Sequence, residues 1–253
     1  MNKTVLITGA SSGIGMAAAE RFAAAGYNLI ITARRAARLA EVERALGEKY
    51  EVKIQSLIFD VRSLAECERA IGSIREELGG IDILVNNAGL ASGYDHIESG
   101  DSGDWDAMID TNVKGLLYIT KLVSKIMVER GRGHIINIGS IAGTQAYEYG
   151  AAYCASKHAV HALSQGMRID LLTKGVKVTE IRPGMVETEF SLVRFHGNQE
   201  RADKVYEGVK PLTGEDIAEA IFWAASLPEH VNIDDILMTP KAQASVYYVH
   251  REQ

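Results

Sequence analysis

Short runs rich in β-branched residues alternate with longer amphipathic stretches along the whole chain, and this alternation restricts the fold more than any other feature. Several of the short runs are apolar almost throughout, as expected for strands that are covered on both faces. The candidate strands are residues 4–9, 28–33, 52–59, 81–86, 133–139, 176–182 and 235–239. The helical patterns are residues 13–25, 35–47, 63–78, 104–129, 151–173 and 214–226. This order predicts an α/β protein with one doubly wound parallel sheet of about seven strands and helices on both faces.

The composition limits the class of protein further. Hydrophobic residues make up 47% of the 253 residues, and no composition break or linker divides the chain, so we expect one domain over 1–253. The net charge of -6 without a long basic run argues against nucleic-acid binding. Cys67 and Cys154 lie far apart without metal-ligand spacing, which predicts reduced thiols in a cytoplasmic protein and no metal site. No run approaches the length of a signal peptide or a membrane span.

One segment interrupts the alternation. Residues 187–212, ETEFSLVRFHGNQERADKVYEGVKPL, connect the sixth candidate strand to the next helix, and this connection is longer than usual. Long ordered loops are often lids over a site, although a surface insertion would have the same length. Its position after the carboxyl end of a strand favours a substrate lid at 187–212.

A glycine-rich turn follows the first candidate strand. The stretch TGASSGIG contains Gly9, Gly13 and Gly15 and leads into an Ala-rich helical pattern. Glycines allow a tight turn and a close approach of the backbone to a phosphate, and the helix N-terminus then offers unpaired N–H groups. The spacing is GxxxGxG and not the GxGxxG fingerprint, so the turn is weak evidence by itself. Its place between the first strand and the first helix favours nucleotide binding over a simple strand cap.

The end of the second candidate strand indicates which nucleotide is bound. Sites for NAD usually carry an acid here, but this chain has Arg34 and Arg35, and the nearest downstream acid is Glu41. Cations at a helix N-terminus oppose the helix dipole, so two of them indicate an anion nearby. A guanidinium suits a ribose 2′-phosphate, which predicts NADP. We interpret Arg38 as a solvated residue of the first helical turn.

The stretch YCASK places Tyr153 four positions before Lys157. Residues at this spacing share one helix face. The pattern is common by chance, and alone it describes a helix surface with one half-buried aromatic residue and one solvated cation. Alternatively, the lysine cation lowers the pKa of the phenol so that it can act as a base near neutral pH.

Seven motifs occur in an order that decides between these alternatives. They are TGASSGIG, the aspartate in FDV, NNAG, Asn112 in DTNVKG, Ser140 in INIGS, YCASK and RPGMVET. Together they resemble the short-chain dehydrogenase/reductase family over the full length of the chain. The resemblance implies a Rossmann-type fold and hydride transfer between a nicotinamide cofactor and an alcohol. It also implies a catalytic set of Asn112, Ser140, Tyr153 and Lys157, in which Asn112 holds a helix kink and a proton-relay water.

The same resemblance assigns a cofactor-binding set. Asp60 and Val61 would meet the adenine, and Asn87, Ala88 and Gly89 would line the adenine ribose. Pro183, Gly184, Val186 and Thr188 would cover the nicotinamide. The remaining positions are Gly9, Ser11, Ser12, Gly13, Ile14 and Gly15 at the turn, Arg34 and Arg35 at the ribose phosphate, and Tyr153 and Lys157 at the nicotinamide ribose.

A narrower resemblance concerns the substrate. NNAGLASG, GHIINIGSIAG, TEFSLVRFHG, LPEHVNI and the terminal VHR are similar to the NADP-dependent 3-hydroxy acid dehydrogenases. This implies oxidation of serine, allo-threonine or 3-hydroxypropionate-like compounds, or reduction of the semialdehydes. Related enzymes reduce sulfoacetaldehyde, so the acid group need not be a carboxylate. The substrate candidates are Ser140, Gln145, Tyr147 and Arg194, although Arg194 could equally be a solvated loop residue.

Three other classes of protein are compatible with parts of this pattern. An NADP-sensing regulator would keep the fold, but it should have lost part of the Ser–Tyr–Lys set, which is complete here. A reductase of 3-oxoacyl thioesters, sugars or steroid-like ketones would share the fold, because the fold does not determine the substrate. A purely structural module would need neither the turn nor the Tyr–Lys pair. The resemblance further implies a homotetramer that pairs through the helices at 104–129 and 151–173.

Overall fold

The computed structural model describes residues 2–78 and 80–252 and contains one parallel sheet of seven strands in the order β3-β2-β1-β4-β5-β6-β7. The strands are β1 Thr4–Thr8, β2 Asn28–Ala33, β3 Ile54–Ile58, β4 Ile83–Asn86, β5 Gly133–Ile138, β6 Val176–Pro183 and β7 Asp235–Met238. All six neighbouring pairs are parallel. The predicted fold class and strand number are confirmed.

Helices cover both faces of the sheet. They are α1 Gly13–Ala24, α2 Ala36–Lys49, α3 Leu64–Gly72, α4 Ser102–Ile109, α5 Leu116–Glu129, α6 Ala151–Leu171, α7 Phe190–Arg194, α8 Gln199–Lys204 and α9 Gly214–Ser226. Alternate residues of β1 supply the two cores: Val5 packs with Phe22 and Ile221, whereas Leu6 packs with Val123 and Val160. This follows from the two-residue period of a strand. Within the described residues, no helix is both long and apolar enough to cross a membrane.

The prediction of one continuous helix over 104–129 is wrong. Helices α4 and α5 are separated by a π-helical turn, Asp110–Gly115, which contains Asn112. Such turns interrupt α-helices mostly at functional sites. The predicted helix over 63–78 is also shorter: α3 ends at Gly72, and Glu76–Leu78 form a separate 3-10 turn.

The strand order places a crevice at the centre of the sheet. Strand β1 pairs with β2 on one side and with β4 on the other, so the connections reverse direction between β1 and β4. In open parallel sheets, ligands bind beyond the carboxyl ends of the strands at this reversal. The glycine turn follows β1 and the NNAG stretch follows β4, which brings both to the mouth of the crevice.

The segment 187–212 is ordered into two short helices. It contains α7 and α8, and its two ends meet in a bridge between Val186 and Leu212. The main chain of Gly93 donates to the carbonyl of Arg194 at 3.0 Å, which ties α7 to the loop after β4. Arg251 near the C-terminus donates to the carbonyl of Val205 at 3.1 Å. The segment therefore lies against the crevice and is held by loop contacts on two sides.

Candidate active site

A cavity of about 770 Å³ opens at the carboxyl ends of the strands and extends under the segment 187–212. The structure brings most of the predicted site residues to its wall. These are Gly9, Ser11, Ser12, Gly13, Ile14, Arg34, Arg35, Asp60, Val61, Asn87, Ala88, Gly89, Ser140, Tyr147, Tyr153, Lys157, Pro183, Gly184, Val186, Thr188 and Arg194. Gly15, Asn112 and Gln145 do not line this wall.

The glycine turn has the shape that a dinucleotide pyrophosphate requires. Gly13 has φ +54°, and a Cβ there would lie 3.2 Å from the side chain of Thr188. A Cβ at Gly15 would overlap the carbonyl oxygen of Gly9, whose position Asn87 fixes by donating from Nδ2 at 3.2 Å. The N-cap residue Ser12 makes no side-chain cap, so the first N–H groups of α1 stay available to an anion. The residues at this end of the cavity therefore fit a dinucleotide.

The arginines after β2 surround the outer end of this turn. Arg35 donates from Nη2 to the hydroxyls of Ser11 at 3.0 Å and Ser12 at 2.7 Å, and from Nη1 to Glu189 at 2.8 Å. Arg38 also binds the Glu189 carboxylate, so its predicted role as a merely solvated residue is incomplete. Glu189 is a cavity residue that the sequence reasoning missed.

Arg34 and Asp60 lie on the other side of the same opening. Arg34 is exposed, with Nη1 3.8 Å from the Asp60 carboxylate. Burial acts to raise the pKa of Asp60, but hydrogen bonds from Arg62 outweigh it and the pKa is lowered. Arg62 binds this carboxylate through Nε at 2.9 Å and Nη2 at 2.6 Å. Asp60 is therefore ionised and held in place, and Arg34 keeps most of its N–H groups toward the opening.

Ser140, Tyr153 and Lys157 meet at the end of β5. Ser140 directly precedes the 3-10 turn Ile141–Gly143, and its hydroxyl accepts from the main chain of Ala142 at 3.1 Å. Tyr153 and Lys157 lie one turn apart on α6 and are both more than nine-tenths buried. The Lys157 ammonium donates to the carbonyl of Ile138 at 2.9 Å and lies 5.9 Å from the centre of the Tyr153 ring. These are the positions that the sequence motifs imply for acid–base chemistry.

The pKa of Tyr153 differs from the sequence expectation. Burial raises it well above its usual value, Tyr147 adds to the effect, and Ser140 and Arg194 only partly oppose it. Burial also lowers the pKa of Lys157 to about 8, against the influence of Glu180. Lys157 therefore keeps most of its charge at neutral pH and loses it as the pH rises through about 8, while burial is the largest cause of the raised pKa of Tyr153. In this state Tyr153 is a neutral hydroxyl that can donate a proton.

Asn112 links two parts of the site from within the π-helical turn. Its Nδ2 donates to the carbonyl of Leu90 and to the hydroxyl of Ser156, at 2.8 and 2.9 Å, and its Oδ1 accepts from the main chain of Leu90 at 2.8 Å. Ser156 lies on α6 between Tyr153 and Lys157. Asn112 therefore fixes the loop after β4 against the catalytic helix; its role toward a relay water stays a prediction.

The guanidinium of Arg194, in α7, lies among three tyrosine rings. Its guanidinium carbon lies 4.7 Å from the ring centre of Tyr94, 5.4 Å from Tyr147 and 5.7 Å from Tyr153. Nη2 is buried and has no hydrogen-bond partner among residues 2–78 and 80–252. An unpaired buried guanidinium group is costly unless an anion binds it. The sequence reasoning named Arg194 and Tyr147 but missed Tyr94, which lies in a loop without a regular pattern.

The side chain of Gln145 does not line the cavity. Its Oε1 accepts from the main chain of Val246 at 3.0 Å, so it contacts the C-terminal segment. His196 pairs with Asp104 at 3.1 Å on the outside of α7. One group of side chains, His161, Glu180 and Asp235, has ligand atoms within 4.8 Å of one another, but Arg182 already neutralises Asp235.

Comparison with known proteins agrees with this geometry. A sequence model described as short chain dehydrogenase matches residues 3–198. The NADP-dependent 3-hydroxy acid dehydrogenase YdfG of Salmonella typhimurium is 47% identical over 241 residues, which are 95% of this chain and 96% of that protein. Sulfoacetaldehyde reductase 2 of Chromohalobacter salexigens is 43% identical over 254 residues, and the match spans 100% of both chains.

Solved structures give the same result. The closed form of serine dehydrogenase complexed with NADP+ superimposes with a TM-score of 0.92 at 45% identity, over 98% of this chain and 100% of that one. A 3-ketoacyl-(acyl-carrier-protein) reductase from Brucella melitensis superimposes with a TM-score of 0.82 at 26% identity, over 94% and 96%. The chain therefore belongs to the short chain dehydrogenase family and is an oxidoreductase that acts on hydroxyl groups.

Proposed function

We propose that this protein is an NADP-dependent dehydrogenase of small 3-hydroxy acids, which also reduces the corresponding semialdehydes. The observation that carries the proposal is the Arg194 guanidinium beside Tyr153, whose buried Nη2 has no hydrogen-bond partner within the described part of the chain. A substrate whose hydroxyl lies at Tyr153 and whose acid group reaches Arg194 satisfies both groups. The names of the relatives at 42–47% identity, NADP-dependent 3-hydroxy acid dehydrogenase, support the same substrate class.

The preference for NADP is supported by the charges at the end of β2. Arg34 and Arg35 lie at the opening where the adenosine ribose would be held, and no acid follows β2 within the first turn of α2. A guanidinium binds a phosphate through two parallel hydrogen bonds and has no such use against a ribose hydroxyl. The cofactor would lie along the glycine turn, and when bound it would accept or supply the hydride.

The chain itself would handle the alcohol and its proton. Ser140, fixed by the main chain of Ala142, would donate to the reacting oxygen. Tyr153 would give its proton to that oxygen during reduction and take it back during oxidation. Lys157, fixed by the Ile138 carbonyl, would stabilise the charge that develops on the phenol. Asn112 would hold α6 and the loop after β4 in a fixed position relative to each other.

A sulfonate substrate is a second candidate. Sulfoacetaldehyde reductase 2 matches over the full length, and a guanidinium binds a sulfonate as readily as a carboxylate. A reductase of bulky apolar ketones is less well supported, because an apolar ketone would bring no anion to the Arg194 guanidinium.

We also propose a homotetramer in the cytoplasm. Apolar side chains are exposed on two of the helices named for pairing, since Leu117 of α5 is 38% exposed and Ile169 of α6 is 76% exposed. Such surfaces favour association. Cys67 and Cys154 are buried free thiols, which suits a reducing compartment.

Initial rates of dehydrogenation test the function. The panel contains L-serine, L-allo-threonine, 3-hydroxypropionate, isethionate and a bulky secondary alcohol, each with NADP and with NAD. We expect turnover of one small 3-hydroxy acid and a strong preference for NADP. The highest rate with isethionate would favour the sulfonate reaction. The highest rate with the bulky alcohol would overturn the assignment of an acid group to the substrate. Binding of NADP with no turnover on any compound would favour the regulator.

A further inference from the structure

Glu189 lies between the two halves of the cavity. It follows Thr188, which contacts the glycine turn, and precedes Phe190, whose ring lies 5.6 Å from that of Tyr153 in an edge-to-face arrangement. Its own side chain turns toward the nucleotide end and binds Arg35 and Arg38. A single residue thus connects the phosphate-binding end of the site to the first turn of α7.

The carboxylate of Glu189 makes the contacts that an anionic ligand would make. Its two oxygens are divided between the two arginines, one on Arg35 at 2.8 Å and the other on Arg38. These arginines lower the pKa of Glu189 to about 2, so the group is ionised at every working pH. The remaining Nε and Nη2 donors of Arg35 are used by Ser11 and Ser12. Arg35 therefore cannot offer two parallel N–H groups to a phosphate while these contacts persist.

We propose that Glu189 is an internal competitor for the 2′-phosphate of the cofactor, and that its displacement from Arg35 couples cofactor binding to the segment that carries Phe190 and Arg194. This inference rests on the proposed assignment of Arg35 to the 2′-phosphate. A phosphate that enters beside Arg34 and Arg35 meets a carboxylate on the same guanidinium, and the two anions repel each other. The Nη1–Nη2 edge of Arg35 can bind the phosphate through two hydrogen bonds only after Glu189 leaves Nη1, whereas Ser11 and Ser12 hold the Nε–Nη2 edge.

The coupling follows from the position of Glu189 in the chain. Helix α7 begins at the next residue, and Arg194 is its last residue. The Glu189 side chain anchors the N-terminus of this helix to the body of the protein, because it binds Arg35 before α2 and Arg38 in the first turn of α2. Loss of the Arg35 contact upon phosphate binding leaves Glu189 paired with Arg38 alone, which loosens the first turn of α7 relative to Tyr153.

Calorimetry with adenosine 2′,5′-bisphosphate and 5′-AMP tests the competition without any redox step. The two ligands differ only in the 2′-phosphate. We expect Glu189→Gln to strengthen binding of the bisphosphate roughly fivefold, as removal of an exposed competing ion pair should, and to leave 5′-AMP unchanged. Glu187→Gln is the matched control, because Glu187 is exposed, lies two residues away and makes no ion pair within the described ranges.

The outcomes separate this inference from the proposed function. Equal binding of both ligands by the unaltered protein would overturn the NADP preference together with the competition. A preference for the bisphosphate that Glu189→Gln leaves unchanged or weakens would overturn the competition alone. An equal gain in Glu187→Gln would also overturn it, since the effect would then come from net charge.

Amide hydrogen exchange tests the coupling. Addition of adenosine 2′,5′-bisphosphate to the unaltered protein should raise exchange in peptides that cover 188–195. In Glu189→Gln this exchange should be raised already and should not respond to the ligand. Unchanged exchange in the unaltered protein at saturating ligand would overturn the link between the phosphate end and α7.

Discussion

The two ends of the cavity are held by different kinds of interaction. Ser140, in the turn after β5, and Tyr153 and Lys157, on α6, are each less than one-tenth exposed, and main-chain partners fix Ser140 and Lys157. In contrast, Arg35 and Glu189 are about two-fifths exposed and bind each other through side chains alone. Buried groups with main-chain partners keep one geometry, whereas exposed ion pairs exchange partners at little cost. The proposed catalytic end is therefore preorganised, and the proposed phosphate end and α7 are adaptable.

Arg194 combines features of both ends. It belongs to the short helix α7, which Glu189 precedes, yet its Nη2 is buried and has no hydrogen-bond partner in residues 2–78 or 80–252. Its contacts are with the rings of Tyr94, Tyr147 and Tyr153 and with the carbonyl of Gly93. The position of the proposed substrate-binding cation thus depends on the adaptable segment, whereas Tyr153, the proposed proton donor, lies on α6.

Removal of the Tyr153 hydroxyl should have the largest effect. We expect Tyr153→Phe to lower kcat at least about a thousandfold in both directions, because the proton donor and acceptor is lost. The ring packing is kept, so the melting temperature and the affinity for NADP should change little. Steady-state rates, thermal unfolding and cofactor titration measure these quantities. Near-normal turnover of Tyr153→Phe would mean that the Tyr153 hydroxyl does not transfer the proton. The preorganised end would then have no special role compared with the rest of the cavity.

Removal of the Arg194 charge should have the next largest effect. We expect Arg194→Met to lower kcat/KM for the acid substrate about a hundredfold, because a buried charge partner is lost, and to lower it much less for a neutral alcohol. Arg201→Met is the control, since Arg201 also lies in the segment 187–212 and packs on a ring, that of Phe195. Equal losses for acid and neutral substrates would show that Arg194 only supports the fold of the segment.

Removal of the Arg35 charge should affect the cofactor alone. We expect Arg35→Gln to raise the Kd of NADP about thirtyfold, the loss typical of a charged hydrogen-bonding group, and to leave NAD unchanged. Arg44→Gln tests the effect of net charge, because Arg44 is an exposed residue of α2, the helix that begins directly after Arg35. Equal weakening of NADP and NAD binding would assign Arg35 to the glycine turn, through Ser11 and Ser12, and not to the 2′-phosphate.

The sequence predicts the preorganised end well because its features are local. Strand–helix alternation determines the parallel sheet, and the turn after β1 and the Tyr153–Lys157 spacing each lie within one short stretch of chain. The pKa of Tyr153 was not predictable in the same way. The direction in which this pKa shifts depends on how deeply the phenol is buried. The burial results from packing by residues as distant in sequence as Phe190 and Arg194.

The adaptable end is where sequence reasoning fell short. The Arg35–Glu189 pair joins residues 154 positions apart, and no periodic pattern relates them. Tyr94 lies in an irregular loop, and its place beside Arg194 results from main-chain contacts between that loop and α7. The π-helical turn was also missed, because the apolar pattern continues through it and the interruption is stabilised by tertiary contacts of Asn112.

The pH dependence of reduction should show the smallest effect and sharpen the account of the preorganised end. The pKa of Lys157 is lowered to about 8, so its positive charge is present below that pH and is lost as the pH rises through it. The pKa of Tyr153 is raised, so the phenol stays a proton donor throughout this range. With saturating NADPH and semialdehyde, we therefore expect kcat to be nearly constant up to pH 7 and to fall up to about tenfold by pH 9. The affinity for NADPH, measured at the same pH values, separates this loss from weaker binding. A rate that stays constant to pH 9 would mean that the charge of Lys157 is not needed, and that its contact with Ile138 only orients α6.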